Sequence, residues 1–135
     1  MADRAEHISD ATADAVGKLS EALEYVERAR GHLYSFHQLI GHADLVLGEA
    51  ADALRADGHS DLADMLDVEI VGRNVIDGRW TFQVVEEFDD TYWTPFRQAE
   101  KRARDELMDG VRHLHEARMK EQRRTHGHPD HTEKP

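Results

Sequence analysis

Histidine and carboxylate side chains are the residues of this chain whose types and spacing point to metal chemistry. His37 and Asp44 lie seven residues apart, so on a helix they share one side but stand two turns from each other. One ion therefore requires further ligands from a second helix. A cluster of acids among aromatic residues offers them, and the predicted metal ligands are His37, Asp44, Glu86, Glu87 and Asp90. Such a site indicates a helical-bundle enzyme that uses a metal or another cofactor, with a carboxylate as base.

The same side chains also have a structural interpretation. Acids that precede a helix beginning at Pro95 stabilise its positive end, and His37 is then an ordinary hydrogen-bonding residue. His32, His37 and His42 are five residues apart, so neighbours among them point about 140° apart on a helix and cannot share an ion. The chain contains no Glu-x-x-His pair, no cysteine and no glycine-rich phosphate-binding motif. The metal-using enzyme is therefore the alternative interpretation, and no particular cofactor is assigned.

Composition predicts a helix-rich globular protein. The 135 residues are 39% hydrophobic and 33% charged, with a net charge of −11. Most of the negative charge lies in residues 1–96, which argues against nucleic-acid binding. A polar N-terminus without a long apolar run predicts a cytoplasmic protein that does not enter membranes. Length and composition predict a single helical domain over 1–124 and a disordered tail over 125–135.

A heptad stripe organises the first half of the chain. Apolar residues recur every seven positions from Leu19 to Leu54, and alanine or phenylalanine follows three positions after each of the first five. Since this phase is kept across Gly31, we expect one helix over 9–57, with a kink at Gly31 as the alternative. At 1.5 Å per residue such a helix is about 70 Å long, which exceeds a compact domain of this size. Its length therefore indicates a partner chain.

Three further helices are predicted to complete an all-α fold. Asp57-Gly58 ends the first helix, and Pro95 is suited to the first turn of the last one. Residues 68–85 also fit a hairpin that turns at Asp77-Gly78, but aromatic residues at intervals of four favour a helix there. The long first helix is expected to pack with the others as an antiparallel bundle. The further helices are predicted over 60–73, 80–93 and 95–124.

Three stretches of the sequence resemble an uncharacterised family of small bacterial helical proteins. They are HLYSFHQLIGHADL, VGRNVIDGRWTFQVVEEFDDTYW and RDEL, and the likeness covers about residues 30–122. The resemblance implies a small helical protein. It carries no activity, substrate or set of ligand residues over to this chain.

The heptad stripe favours a non-enzymatic role in interaction or assembly. Twofold pairing lets one surface serve both chains, so the prediction is a homodimer with a coiled-coil-like interface. Alanine at most of the second stripe positions favours close helix approach over a ligand cavity. Another protein is an alternative partner for the same surface. The predicted interface residues are Leu19, Val26, Leu33, Phe36, Ile40, Leu47 and Leu54.

Overall fold

The computed structural model describes residues 7–110 and 112–135. This part of the chain is helical and contains no strand, which confirms the prediction of an all-α fold. None of the described helices is both long and apolar enough to cross a membrane. The elements are α1 (Asp10–Ala56), α2 (Ser60–Glu69), α3 (Thr81–Phe88), a π-helical turn (Asp89–Trp93), α4 (Thr94–Leu107) and α5 (Leu114–Arg123).

Helix α1 runs without interruption through Gly31. Its start is capped by Ser9, whose Oγ accepts a hydrogen bond of 3.1 Å from the backbone N–H of Thr12. Its end is closed by Gly58, which takes a φ of +86° while His59 N–H donates to the Leu54 carbonyl at 2.8 Å. The prediction of one long first helix is therefore confirmed, and Asp57-Gly58 ends the helix as expected.

Glycine substitutions in α1 should separate helix propensity from packing. A Cβ at Gly31 meets nothing within 4 Å, whereas a Cβ at Gly17 comes to 3.0 Å from the His115 Cβ. We expect Gly31→Ala to raise the free energy of unfolding by about 1 kcal/mol, because alanine is the better helix former. Gly17→Ala should not show this increase, because its added Cβ would crowd His115. Urea unfolding of both variants checks this, and equal gains would contradict the packing at Gly17.

The segment after α2 departs from the predicted boundaries. Helix α2 ends at Glu69 rather than at 73, because Gly72 has a φ of +71°, which no continuing helix allows. Ile76 and Arg79 then form a single antiparallel bridge around Asp77-Gly78, so the hairpin interpretation is right for this turn alone. A helix begins directly afterwards, as the aromatic spacing predicts. It changes to a π-helical turn at Asp89.

The prediction of one unbroken last helix over 95–124 is wrong. Helix α4 ends at Leu107 and α5 begins at Leu114. Asp109, Gly110 and His113 all have φ between +50° and +74°, and Gly110 N–H donates to the Arg104 carbonyl at 2.9 Å. Asp109-Gly110 therefore ends α4 with the left-handed geometry that glycine favours at helix ends. The apolar spacing continues across this break and conceals it.

The chain divides into two compact units, one formed by Met1–Val26 with Thr94–Pro135 and the other by Glu27–Trp93. In the first unit, the start of α1 runs antiparallel to the last two helices. Arg118 Nη1 donates to Asp10 Oδ1 at 2.7 Å, and Ser20 Oγ donates to the buried Glu100 at 3.0 Å. The apolar core of this unit consists of Ala13, Val16, Met108 and Leu114, with Ile8 packed against it.

Residues 125–135, all of which the structure describes, contain no helix and are connected by local hydrogen bonds. Thr125 N–H donates to His131 Nδ1 at 3.0 Å, and Arg124 Nη1 donates to the His131 carbonyl at 3.3 Å. Arg124 and His126 both bond Glu121, and these hydrogen bonds lower the pKa of the Glu121 carboxyl to about 2. The disordered tail and the single domain over 1–124 stay predictions.

In the Glu27–Trp93 unit, the returning segment also runs antiparallel to α1. Along one side of α1, side chains further towards the end of the helix contact residues nearer the start of the returning segment. These contacts cover that side of the helix and fix the register of the return. The pairs are Glu27 with Trp93, Arg30 with Asp89, His37 with Thr81, Asp44 with Gly72 and Arg55 with Asp67.

Candidate interaction face

One side of α1 in the Glu27–Trp93 unit is apolar and uncovered. Its residues alternate at intervals of three and four, which is the spacing of a coiled-coil interface. All eight positions are exposed, and Leu39 has 68% of its surface accessible, Val46 47% and Phe36 41%. Seven positions are apolar and the eighth is histidine. We call this surface the open face; it consists of Ala29, His32, Phe36, Leu39, Ala43, Val46, Ala50 and Ala53.

The open face is displaced from the interface that the sequence predicts. Phe36 belongs to both, but the six residues at the main stripe position are all half-buried by contacts within the chain. Leu39 and Val46 precede Ile40 and Leu47 by one residue, which is a rotation of about 100° around the helix. The strongest stripe of the sequence is thus partly used inside the chain. The half-buried residues are Leu19, Val26, Leu33, Ile40, Leu47 and Leu54.

The covered side of α1 is held by a compact network around Arg30. Its Nε donates to Asp89 Oδ1 at 2.7 Å, and its Nη2 donates to Asp89 Oδ2 at 3.0 Å. The guanidinium carbon lies 3.8 Å from the ring centroid of Trp93 and 4.6 Å from that of Tyr34. Hydrogen bonding to Arg30 lowers the pKa of Asp89, and the same bond raises the pKa of Arg30. This two-point ion pair between stacked rings fixes the π-helical turn against α1.

Three of the five residues of the predicted metal site have other partners. His37 Nδ1 lies 2.7 Å from Oγ1 of the buried Thr81, and Asp44 Oδ1 accepts from Gly72 N–H at 2.8 Å. Glu87 pairs with Arg79, while Glu86 and Asp90 are exposed. Among residues 7–110 and 112–135, no group of three or more histidine and acidic side chains is arranged to hold a metal. The described geometry therefore does not assemble this ligand set.

An open cavity of about 800 Å³ adjoins the open face at Ala43. Its apolar lining includes Ile40, Leu47 and Trp80, and Asp44, Arg73, Asn74 and Asp77 add polar groups. The loop that follows α2 forms the opposite wall from α1. The interface of a partner chain on the open face would therefore pass the rim of this cavity.

The sequence did not reveal the Arg30 network, and it indicated only half of the open face, namely the second stripe positions Ala29, Phe36, Ala43 and Ala50. Arg30 and Asp89 are 59 residues apart, so no local spacing joins them, although an acid and two aromatic residues near Pro95 are visible in the sequence. The sequence also contains a signal for the rest of the open face, because Leu39 and Val46 continue the heptad repeat of Phe36, Ala43 and Ala50.

No protein-family model, curated protein or solved structure matches the chain.

Proposed function

We propose that the protein is a non-enzymatic interaction module that forms a homodimer through the open face. The observation that carries the proposal is that the eight positions of the open face follow the heptad spacing without interruption. All eight are exposed, and none is a charged residue. Exposed apolar side chains are common singly, but a contiguous strip marks an interaction site. The spacing of three and four residues further favours another helix as the binding partner.

The small core of the same unit supports a need for a partner. Within Glu27–Trp93, every residue of which the structure describes, the buried apolar side chains are Ala51, Ala63 and Val85. Larger apolar side chains remain exposed, including Leu39 and Leu45. Small domains with little buried apolar surface gain stability from oligomerisation. A second chain on the open face would supply the burial that this unit lacks.

The size of the open face fits the small interface of a dimer that can dissociate. The eight positions span about 37 Å of helix, and a strip about 10 Å wide on each of two chains gives a projected contact of roughly 750 Å². The accessible area of side chains exceeds such a projection, which brings the interface near the lower end of stable complexes. We therefore expect a dimer that dissociates in the micromolar range.

Thermal unfolding at several protein concentrations tests this proposal. Because a dimer must dissociate when it unfolds, its Tm rises with protein concentration, whereas the Tm of a monomer does not. We expect the Tm to increase by several degrees between about 1 and 100 μM, since stability grows with the logarithm of concentration. A Tm that stays constant across this range would contradict the homodimer.

A further inference from the structure

We infer that the two α1 helices pair antiparallel, with the twofold axis at the level of residue 41. This inference rests on the proposed homodimer and specifies how its chains are arranged. It follows from the order of large and small residues along the open face. In this register, the numbers of two facing residues sum to 82. One heptad position, occupied by Ala29, Phe36, Ala43 and Ala50, then lies opposite the other, occupied by His32, Leu39, Val46 and Ala53, as antiparallel coiled coils require.

The antiparallel register matches large residues with small ones. Leu39 of one chain faces Ala43 of the partner subunit, and His32 faces Ala50 of the partner subunit. Phe36 faces Val46 of the partner subunit, so the largest residue of the face meets a smaller one. Ala29 and Ala53, at the two ends of the face, lie opposite each other. Every layer near the axis therefore contains one large and one smaller side chain, which keeps the helix separation nearly even.

A parallel dimer and an antiparallel register shifted towards the N-terminus both pack unevenly. In a parallel dimer each residue meets its own copy, so Phe36 crowds Phe36 of the partner subunit while Ala43 leaves a gap. Both overpacking and cavities destabilise an interface. In an antiparallel register shifted by one heptad towards the N-terminus, Phe36 of each chain lies opposite Leu39 of the partner subunit. Two large residues therefore meet on both sides of the twofold axis. The register centred at residue 41 avoids both faults, and it is the antiparallel register in which all eight positions of the open face pair with one another, whereas a shift by one heptad towards the C-terminus leaves Ala29 and His32 outside the interface.

The same register brings a partner residue to the cavity beside α1. Ala43 belongs both to the open face and to the cavity wall. Leu39 of the partner subunit lies opposite Ala43 and so reaches the rim of the cavity. Each cavity of the dimer is therefore bounded by residues of both chains, next to the twofold axis.

Distances between spin labels on single cysteines test the arrangement, and the absence of native cysteine makes each label unique. Gly31→Cys is the reporting variant, because residue 31 is exposed and a Cβ there meets nothing within 4 Å. Antiparallel pairing separates the two copies of residue 31 by 20 positions, or about 30 Å along the helix. His42→Cys is the matched control, since its copies differ by about 3 Å along the helix.

A long distance at residue 31 together with a short one at residue 42 is the expected result. Short distances at both positions would establish a parallel dimer, which overturns this inference and leaves the homodimer standing. A long distance at both positions would overturn the register centred at residue 41. Absence of any distance between chains, with the mass of a monomer, would overturn the homodimer itself.

Discussion

Leu39→Asp is expected to convert the proposed homodimer into a monomer, whereas Leu45→Asp should leave the homodimer intact. The two leucines have equal exposure, 68%, on the same helix, so they are matched in helix context and surface area. They differ in direction, because six residues of helix place Leu45 about 120° around the helix from Leu39. Only Leu39 belongs to the open face.

The expected loss follows from the burial of two symmetric leucines. Removing one leucine from a buried site costs about 2 kcal/mol, and twofold symmetry removes two, so the dimer weakens by roughly a thousandfold. A carboxylate opposite Ala43 of the partner subunit adds a desolvation penalty. Sedimentation velocity with all three proteins at the same concentration measures the change. Dissociation by both variants, or by neither, would contradict the role of the open face.

Arg30→Ala is expected to be the most destabilising single substitution of a charged residue in the Glu27–Trp93 unit. It removes both hydrogen bonds to Asp89 and leaves that carboxylate, with only 18% of its side chain exposed, without its cation. We expect the free energy of unfolding to fall by about 2–3 kcal/mol, since hydrogen bonds to charged groups contribute 1.5–3 kcal/mol. Arg30→Lys should recover part of this loss, because lysine keeps the charge but not the two-point geometry.

Arg55→Ala is the matched control for Arg30→Ala. Arg55 also bonds two acids, at 2.9 Å to Asp64 and 2.7 Å to Asp67, but these three groups are exposed to solvent. Exposed ion pairs contribute little to stability. Urea unfolding of the three arginine variants should therefore show a large loss for Arg30→Ala and a small one for Arg55→Ala. Equal losses would show that the stacked network around Arg30 adds nothing to an ordinary surface pair.

The Arg30–Asp89 pair should also be visible in the pH dependence of stability. Asp89 has a lower pKa in the folded chain than in the unfolded chain, because Arg30 hydrogen bonds to its charged form. Its contribution is thus complete above the unfolded pKa of about 4, and it is lost as the pH falls towards the lower folded pKa. Arg30→Ala should flatten this acid limb of the stability curve, and an unchanged slope would contradict the assigned cause.

The helices of this fold are largely predictable from sequence because their signals are local. Asp57-Gly58 ends α1 where the punctuation indicates, and the heptad phase carries α1 through Gly31. The break after Leu107 was missed for the opposite reason. There the apolar spacing continues, and the left-handed residues Asp109 and Gly110 decide the local geometry against it.

The open face is less predictable because α1 has more apolar residues than one stripe needs. Ile40 and Leu47 form the stronger pattern, while Leu39 and Val46 lie one residue earlier. Which of the two sides stays open depends on where the returning segment packs. That position is set by contacts over long sequence separation, such as Arg30 with Asp89, which no local pattern encodes.

Sedimentation equilibrium of the unmodified protein is the most direct test of the central claim. One chain has a mass of 15.4 kDa. At concentrations of about 50 μM and above we expect twice that mass, with dissociation on dilution towards the micromolar range. A mass of one chain throughout this range would contradict the proposal that the open face joins two copies.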